Sequence, residues 1–146
     1  MAGCSDSNDG AYANLKSNTE CTTRGAVSLI PKRTLKMTYD GQRIDCELNN
    51  VEVSCSFSYV KVDCKQEGKR LTIFVDDVIE TSGIISTCSC PINIYFSINE
   101  FEGNEFDLWI QEGDLEVYRY ELGIVSFNGH RTAEIDLITK EIVYSD

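Results

Sequence analysis

Apolar and polar residues alternate with a period of two through most of the chain beyond residue 25. Successive side chains of a β-strand point to opposite faces of a sheet, so this alternation predicts strands with one buried face. About eight to ten short strands, separated by turns rich in Gly, Asn and Asp, favour an antiparallel β-sandwich or a closed barrel. We therefore expect an all-β fold, with residues 26–146 as a single β domain.

The strongest hairpin signal is Asp40-Gly41, a dipeptide that favours a two-residue turn. The apolar residues on its two sides keep the alternation, so the flanking strands are predicted to pair through a common buried face. Further along, the apolar set changes parity at residues 59–60. Such a change predicts a β-bulge or a strand that passes between two sheets.

Two segments, 92–98 and 106–110, carry their apolar residues at even positions, so Tyr95 and Trp109 point to the opposite face. Pairing these strands across a loop near residues 100–104, with both apolar sets on one face, places Tyr95 directly opposite Trp109. A short turn after the second strand brings a further tyrosine alongside. The predicted aromatic strip comprises Tyr95, Trp109 and Tyr118, and its edges carry Asn93, Asp107 and Glu116.

This aromatic strip has the chemistry of a ligand-binding surface. Pyranose C–H faces stack on aromatic rings, while nearby amides and carboxylates accept hydrogen bonds from sugar hydroxyls. A protein partner is a second candidate, since Trp and Tyr are common anchors of interfaces. A third interpretation is purely structural, because aromatic cross-strand pairs stabilise a sheet without any ligand.

The charge balance excludes one class of partner. The chain has 24 acidic and 13 basic residues and a net charge of −11, so it repels phosphate backbones. We expect no nucleic-acid partner. No segment reaches the roughly 18 consecutive apolar residues that a membrane-spanning helix needs, so any membrane attachment is expected to be covalent.

Familiar catalytic motifs are missing from the sequence. It contains no phosphate-binding glycine loop, no Gly-x-Ser-x-Gly elbow, no paired-histidine metal motif and no EF-hand loop. Its single histidine, His130, follows Asn128-Gly129 and is expected in a solvent-exposed turn. We therefore predict a non-catalytic protein without a metal or another cofactor.

The N-terminal segment points to export. Met1-Ala2-Gly3-Cys4 resembles the end of a bacterial lipoprotein signal peptide, whose cysteine is lipidated after cleavage. The residues that follow, up to about residue 25, are rich in Ser, Asn, Asp, Thr and Gly and lack an apolar period, as in a flexible tether. We expect residues 1–25 to comprise the lipobox-like start, with Cys4 as the lipidation site, and a flexible leash from Ser5 onwards; the alternative is that Met1 is a true cytosolic start.

This layout resembles small cell-envelope lipoproteins of Bacteroidetes-type bacteria, most of which are functionally uncharacterised. The resemblance rests on the lipobox-like start, the polar leash, the Cys88-x-Cys90 motif before an alternating strand and the β-rich remainder. It implies an envelope location, as an outer-membrane lipoprotein that faces the periplasm or the exterior, and it carries over no catalytic residue. The expected partners are the membrane, through the lipid on Cys4, and a glycan or protein ligand at the cell surface, which the aromatic strip suggests.

Six further cysteines suit an oxidising compartment, where an even number favours disulfides. If residues 49–52 form a four-residue turn, Cys46 lies opposite Cys55 and the two can form a bridge. A two-residue turn would instead set Cys46 against Val53, so this pairing stays open.

Cys88 and Cys90 point to one face of a strand, where a bond between them is strained, so separate partners are expected. A rival interpretation is a tetrahedral zinc site, built from this Cys-x-Cys pair and two further thiols. We favour structural roles for all six, which are Cys21, Cys46, Cys55, Cys64, Cys88 and Cys90.

Together these patterns predict a non-catalytic surface or periplasmic lipoprotein whose β-sandwich presents a binding surface for a glycan or an envelope protein. One alternative is an inhibitor of a secreted hydrolase such as lysozyme, because an acidic domain attracts a basic enzyme. A second alternative is a purely structural component of the envelope.

Overall fold

The computed structural model describes residues 10–21, 32–79, 88–113 and 118–145. Within these ranges nearly every residue outside the turns belongs to a β-strand, which confirms the predicted all-β class. No helix in the described ranges is long and apolar enough to span a membrane. The described strands are β1 (Tyr12–Asn18), β2 (Thr34–Tyr39), β3 (Ile44–Ser54), β4 (Tyr59–Glu67), β5 (Arg70–Val78), β6 (Ser89–Asn99), β7 (Glu105–Glu112), β8 (Arg119–Ser126), β9 (Thr132–Asp136) and β10 (Ile142–Ser145).

The strands form two sheets with a shared core. The six-stranded sheet has the order β10-β9-β2-β3-β6-β1, and the four-stranded sheet has the order β4-β5-β7-β8. Neighbouring strands are antiparallel except β5 and β7, which pair in parallel. Of the two predicted architectures, the described strands therefore adopt the sandwich.

A single apolar core is built from the inward faces of both sheets. The period-two alternation placed these inward positions correctly, because only one face of each strand is buried. Burying one such aliphatic or aromatic side chain contributes roughly 1.5–3 kcal/mol, so this layer dominates the stability of the fold. The largest fully buried side chains are Phe96, Phe106, Leu35, Met37, Ile44, Leu48, Leu71, Ile73, Ile92, Ile94, Ile98 and Leu108.

The predicted hairpin forms between β2 and β3, with Tyr39 paired to Ile44. Its turn lies one residue later than the dipeptide indicated, since Asp40 and Arg43 face each other through a backbone hydrogen bond of 3.2 Å. The Asp40 carboxylate also accepts the N–H of Arg43 at 2.9 Å. Gly41 has a φ of 98°, a conformation that glycine adopts without strain.

The chain crosses from the six-stranded to the four-stranded sheet between β3 and β4. The N–H of Phe57 donates to the carbonyl of Ser54 at 3.0 Å, and β4 begins at Tyr59. Because β4 joins the other sheet, its inward positions, beginning with Val60, are even-numbered. The parity change at residues 59–60 therefore marks a passage between sheets.

The N-terminal segment is not a tether over its whole predicted length. Strand β1 pairs antiparallel with β6 at the edge of the six-stranded sheet, so the prediction of a flexible leash is wrong for residues 12–18. Tyr12 and Leu15 are exposed, so the segment has no alternation of buried apolar and exposed polar residues that would have predicted a strand. Backbone hydrogen bonds to β6 hold it in place instead. The β domain thus begins before residue 26.

Several N-terminal predictions lie outside the described residues. These are the lipobox-like start with Cys4 and the remaining parts of the predicted leash, residues 1–9 and 22–25.

Disulfides are present, as the even number of cysteines predicted. They join Cys21 to Cys90 and Cys55 to Cys88, so the neighbouring Cys88 and Cys90 do have separate partners. The remaining two of the predicted structural cysteines, Cys46 and Cys64, are free thiols in the core.

The bridge between Cys46 and Cys55, one of the two arrangements that the sequence left open, does not form. It required a turn at residues 49–52, but β3 runs through these residues and ends at Ser54. The pairing register of β3 against β6 shifts between Leu48 and Val51. Asn49 and Asn50 therefore form an irregularity within the strand, and the chain does not reverse there. Cys46 therefore lies in mid-strand, whereas Cys55 lies beyond the end of the same strand.

Candidate binding cleft

The predicted aromatic strip does not form. Tyr95 lies on β6 of the six-stranded sheet and Trp109 on β7 of the four-stranded sheet, so the pairing of segments 92–98 and 106–110 is wrong. The apolar residues of both segments are buried, as predicted, but they enter the core from different sheets. The chain between β6 and β7 carries the backbone across to the other sheet instead of closing a hairpin. The two aromatic side chains therefore lie on opposite surfaces of the sandwich.

Asn93 and Tyr95 belong to the outer face of the six-stranded sheet. The Asn93 side chain accepts the N–H of Asn50 at 3.0 Å, at the point where Asn50 adopts a φ of 62°. The backbone N–H of Asn93 donates to the Thr19 hydroxyl at 2.8 Å. Asn93 therefore holds the irregular part of β3 and the end of β1 in place, which is a structural role.

Trp109 lies on the outer face of the four-stranded sheet between two arginines. The guanidinium carbon of Arg70 is 4.0 Å from a ring centroid of Trp109, and that of Arg119 is 5.1 Å from it. Asp107 shares this strand and is in register with Arg70. Of the predicted strip, Trp109 and Asp107 thus stay together, but arginine side chains flank the ring where tyrosines were expected.

Tyr118 lines a cleft at one end of the sandwich. The cleft has a volume of about 400 Å³, which is in the range of small-ligand sites. Its walls come from the ends of β3, β5 and β7 and the beginnings of β6 and β8. Tyr118 is 49% exposed, so its ring faces both the cleft and the solvent. Glu116, the last residue of the predicted strip, lies outside the described residues.

Arg33 joins the two sheets inside this cleft. It precedes β2 of the six-stranded sheet, where its carbonyl accepts the N–H of Leu137 at 2.9 Å. Its guanidinium pairs with the carboxylate of Glu112 at the end of β7. A second guanidinium nitrogen donates to the hydroxyl of Tyr120 on β8 at 2.7 Å. We call Arg33, Glu112 and Tyr120 the arginine clasp.

Burial shapes the protonation of the arginine clasp. Desolvation alone would lower the pKa of Arg33, but the hydrogen bond and negative charge of Glu112 outweigh it and raise that pKa. Burial raises the pKa of the Tyr120 hydroxyl, the charge of Glu112 adds to the rise, and Arg33 partly offsets it. At neutral pH the clasp therefore contains a charged guanidinium and a neutral phenol.

Further carboxylates surround the arginine clasp. Glu52 accepts a hydrogen bond from the Ser89 hydroxyl at 2.7 Å, and Asp77 accepts one from the backbone N–H of Ser54 at 2.8 Å. Asp76 also lines the cleft. The bond between Ser54 and Asp77 links β3 to β5 and so ties the two sheets together a second time. Because the lining arginine is already paired with a carboxylate, the cleft carries a net negative charge.

The arginine clasp was missed by the sequence reasoning. Arg33 and Glu112 are 79 positions apart in the chain. Neither residue stands in a motif, because the clasp forms where two sheets meet and not along one segment. Of the predicted site residues that the structure describes, only Tyr118 lines the cleft.

The described chain is thus a two-sheet sandwich with an inter-sheet arginine clasp at one end. No protein-family model, no curated protein and no solved structure matches it. A functional proposal therefore has to rest on the chemistry of the cleft and of the exposed surfaces.

Proposed function

We propose that this chain is a non-catalytic binding domain that holds a neutral or amine-bearing glycan in the cleft beside the arginine clasp. The observation that carries the proposal is the exposed ring of Tyr118 at a cleft walled by carboxylates. A pyranose C–H face stacks on such a ring, while its hydroxyls donate to Glu52, Asp76 and Asp77.

The charge of the cleft selects among glycans. Glu52, Asp76 and Asp77 add negative charge that the paired arginine does not cancel. Acidic sugars would be repelled, whereas neutral sugars and those with a protonated amine would be accepted.

Binding is favoured over catalysis by the way the carboxylates are used. Glu112 is held by Arg33, and Asp77 is held by the backbone N–H of Ser54. A catalytic acid or base has to exchange a proton with the substrate, whereas these two carboxylates are engaged with groups of the protein itself. These side chains therefore suit a rigid receptor for hydroxyl groups.

A cell-envelope location is part of the proposal. Two disulfides in a chain of this size favour an extracytoplasmic compartment. The lipobox-like start favours an anchor on Cys4 and an outer-membrane lipoprotein, with the binding domain presented to the periplasm or the exterior.

The proposal is tested by calorimetric titration of the protein with a panel of neutral, amino and acidic oligosaccharides. The wild type should bind at least one neutral or amino member, and Tyr118→Ala should weaken binding about tenfold, equivalent to ~1.4 kcal/mol. Tyr59→Ala is the matched control, since Tyr59 is similarly exposed, at 43%, but does not line the cleft. No binding to the whole panel, or equal binding by wild type and Tyr118→Ala, would contradict the proposal.

A second candidate is a protein partner on the outer face of the four-stranded sheet. The observation that favours it is Trp109 between Arg70 and Arg119, with Phe74 and Ile124 exposed on neighbouring strands. Trp and Arg are the residue types that most often dominate binding energy at interfaces. Trp109→Ala should then abolish binding to an envelope protein, whereas Tyr118→Ala should leave it unchanged.

A further inference from the structure

Four cysteines converge at one end of the neighbouring strands β1, β3 and β6 of the six-stranded sheet. Cys88 and Cys90 stand at the beginning of β6, Cys55 follows β3, and Cys21 follows β1. The sulfur atoms of Cys21, Cys55 and Cys90 all lie within 4.8 Å of one another, and Cys88 is bonded to Cys55. The two disulfides are therefore neighbours that form a single cluster of four sulfurs. We call it the sulfur cluster.

The backbone holds these cysteines together independently of the sulfur–sulfur bonds. The N–H of Cys55 donates to the carbonyl of Cys88 at 3.1 Å, and Val53 is in register with Cys90. On the other side of β6, the N–H of Thr19 donates to the carbonyl of Asn93 at 2.9 Å, which positions the segment that leads to Cys21. Opening both disulfides would leave these hydrogen bonds intact.

We propose that the sulfur cluster, once reduced, binds a single soft divalent metal ion such as Zn²⁺ through four thiolates. Sulfur ligands lie about 2.3 Å from zinc, so two of them across a tetrahedral ion are roughly 3.8 Å apart. The sulfur atoms of Cys21, Cys55 and Cys90 are already within 4.8 Å of one another, and the sulfur of Cys88 is brought to them by its bond to Cys55. In the described parts of the chain, no other group of three or more metal-ligating side chains is so close together.

Exposure of the sulfur cluster suits a site that can be loaded. Cys88 is exposed, Cys21 and Cys55 are half-buried, and Cys90 is buried, so an ion can reach the cluster from the solvent side. Cys46 and Cys64 are different, because burial raises the pKa of both thiols and keeps them protonated. They are therefore the natural controls.

A phosphine can reduce both disulfides of the sulfur cluster to thiols. For each disulfide, one phosphine takes the oxygen of a water molecule and becomes a phosphine oxide, while the two hydrogens of that water complete two thiols. The four thiols then release four protons as their sulfurs bind the divalent ion. The disulfide form has no thiolate to offer and should not bind the metal.

The test is a titration of the phosphine-reduced protein with Co²⁺ under anaerobic conditions. The reduced protein should develop the intense visible absorption of tetrahedral cobalt thiolate, saturate at one ion per chain and lose the colour when Zn²⁺ is added. The oxidised protein should stay colourless. The melting temperature of the reduced protein should also rise when Zn²⁺ is added, since binding to the folded state stabilises it.

Variants assign the ligands. Cys90→Ala should abolish the tetrathiolate spectrum, while Cys46→Ala should keep it, so the pair separates the sulfur cluster from the core thiols. Circular dichroism of the reduced protein checks that the β fold is present. Absence of cobalt binding by the reduced protein, whatever its fold, would overturn the proposal, as would an unchanged spectrum in Cys90→Ala or a lost one in Cys46→Ala.

Discussion

The guanidinium of Arg33 pairs with the carboxylate of Glu112 and so connects the beginning of β2 in one sheet to the end of β7 in the other. The two side chains are only 14% and 12% exposed. Arg33→Met should therefore leave the buried carboxylate of Glu112 without its charged partner. We expect this to lower the free energy of unfolding by about 3–5 kcal/mol. Urea unfolding measures this loss.

Two further variants test that explanation. Arg33→Met combined with Glu112→Leu removes both charges and should recover most of the lost stability. Arg43→Met is the matched control, because Arg43 forms ion pairs on the surface and should cost less than about 1 kcal/mol. Equal losses for Arg33→Met and Arg43→Met would show that the clasp contributes no more than a surface pair.

The thiols of Cys46 and Cys64 should be inert in the folded protein. Burial raises the pKa of Cys64 to about 12 and that of Cys46 well above its ordinary value, and the thiolate is the reactive form. The measurement uses the Cys4→Ser variant and a thiol-reactive aromatic disulfide at mildly alkaline pH. It should detect no thiol in the native protein and two thiols, those of Cys46 and Cys64, after unfolding. Rapid labelling of the native protein would contradict the buried assignment.

Trp109 should respond to the charge of a quencher. It is the only tryptophan of the chain and lies partly buried between two guanidinium groups. Iodide should quench its fluorescence more strongly than caesium does, because the two guanidinium groups that contact the ring attract the anion, although Asp107 and Glu121 lie beside them and the net charge of the chain is −11. Replacing Arg70 and Arg119 with Gln should reverse this order, while Arg43→Gln should not. Emission that is insensitive to both ions would place Trp109 in the core.

Asp136 should stabilise the turn between β9 and β10 in a pH-dependent way. Its carboxylate accepts the N–H groups of Ile138 and Thr139 at 2.9 and 3.1 Å, and these bonds lower its pKa below 3.8. A pKa lowered by folding contributes stability above the unfolded value and loses it as the pH falls through the folded value.

Asp136→Ala should accordingly lower the melting temperature at pH 7, and the gap to the wild type should close in strong acid. Asp136→Asn keeps an acceptor for the turn and should have a smaller effect. Glu134→Ala, an exposed change on the same strand, is the control. A melting-temperature gap that is constant with pH would mean that the carboxylate charge has no part in it.

Local pattern was sufficient for much of the fold. The alternation around Asp40 predicted a hairpin and placed Met37 and Cys46 in the core, because the side-chain period of a strand depends only on its own backbone. The parity change before Val60 predicted either a β-bulge or a passage between sheets, and the structure has the passage. The separate partners of Cys88 and Cys90 followed from the geometry of neighbouring residues on one strand.

Strand β1 was not predicted, because its side chains carry no strand pattern. Its backbone hydrogen bonds to β6 complete the edge of a sheet, whereas its side chains, such as Tyr12 and Leu15, remain exposed. A segment that buries little apolar surface leaves no period in the sequence, although its backbone is paired.

The sequence by itself determined which residues face inward, because the burial of apolar side chains imposes a period that can be read along each segment. Only the tertiary structure decided which strands are neighbours, and this choice separated Tyr95 from Trp109 and brought Arg33 to Glu112. Strand partners depend on how both sheets jointly cover one core, a condition that involves residues far apart in the chain. The cleft and the sulfur cluster arise from that condition, so no local pattern could specify them.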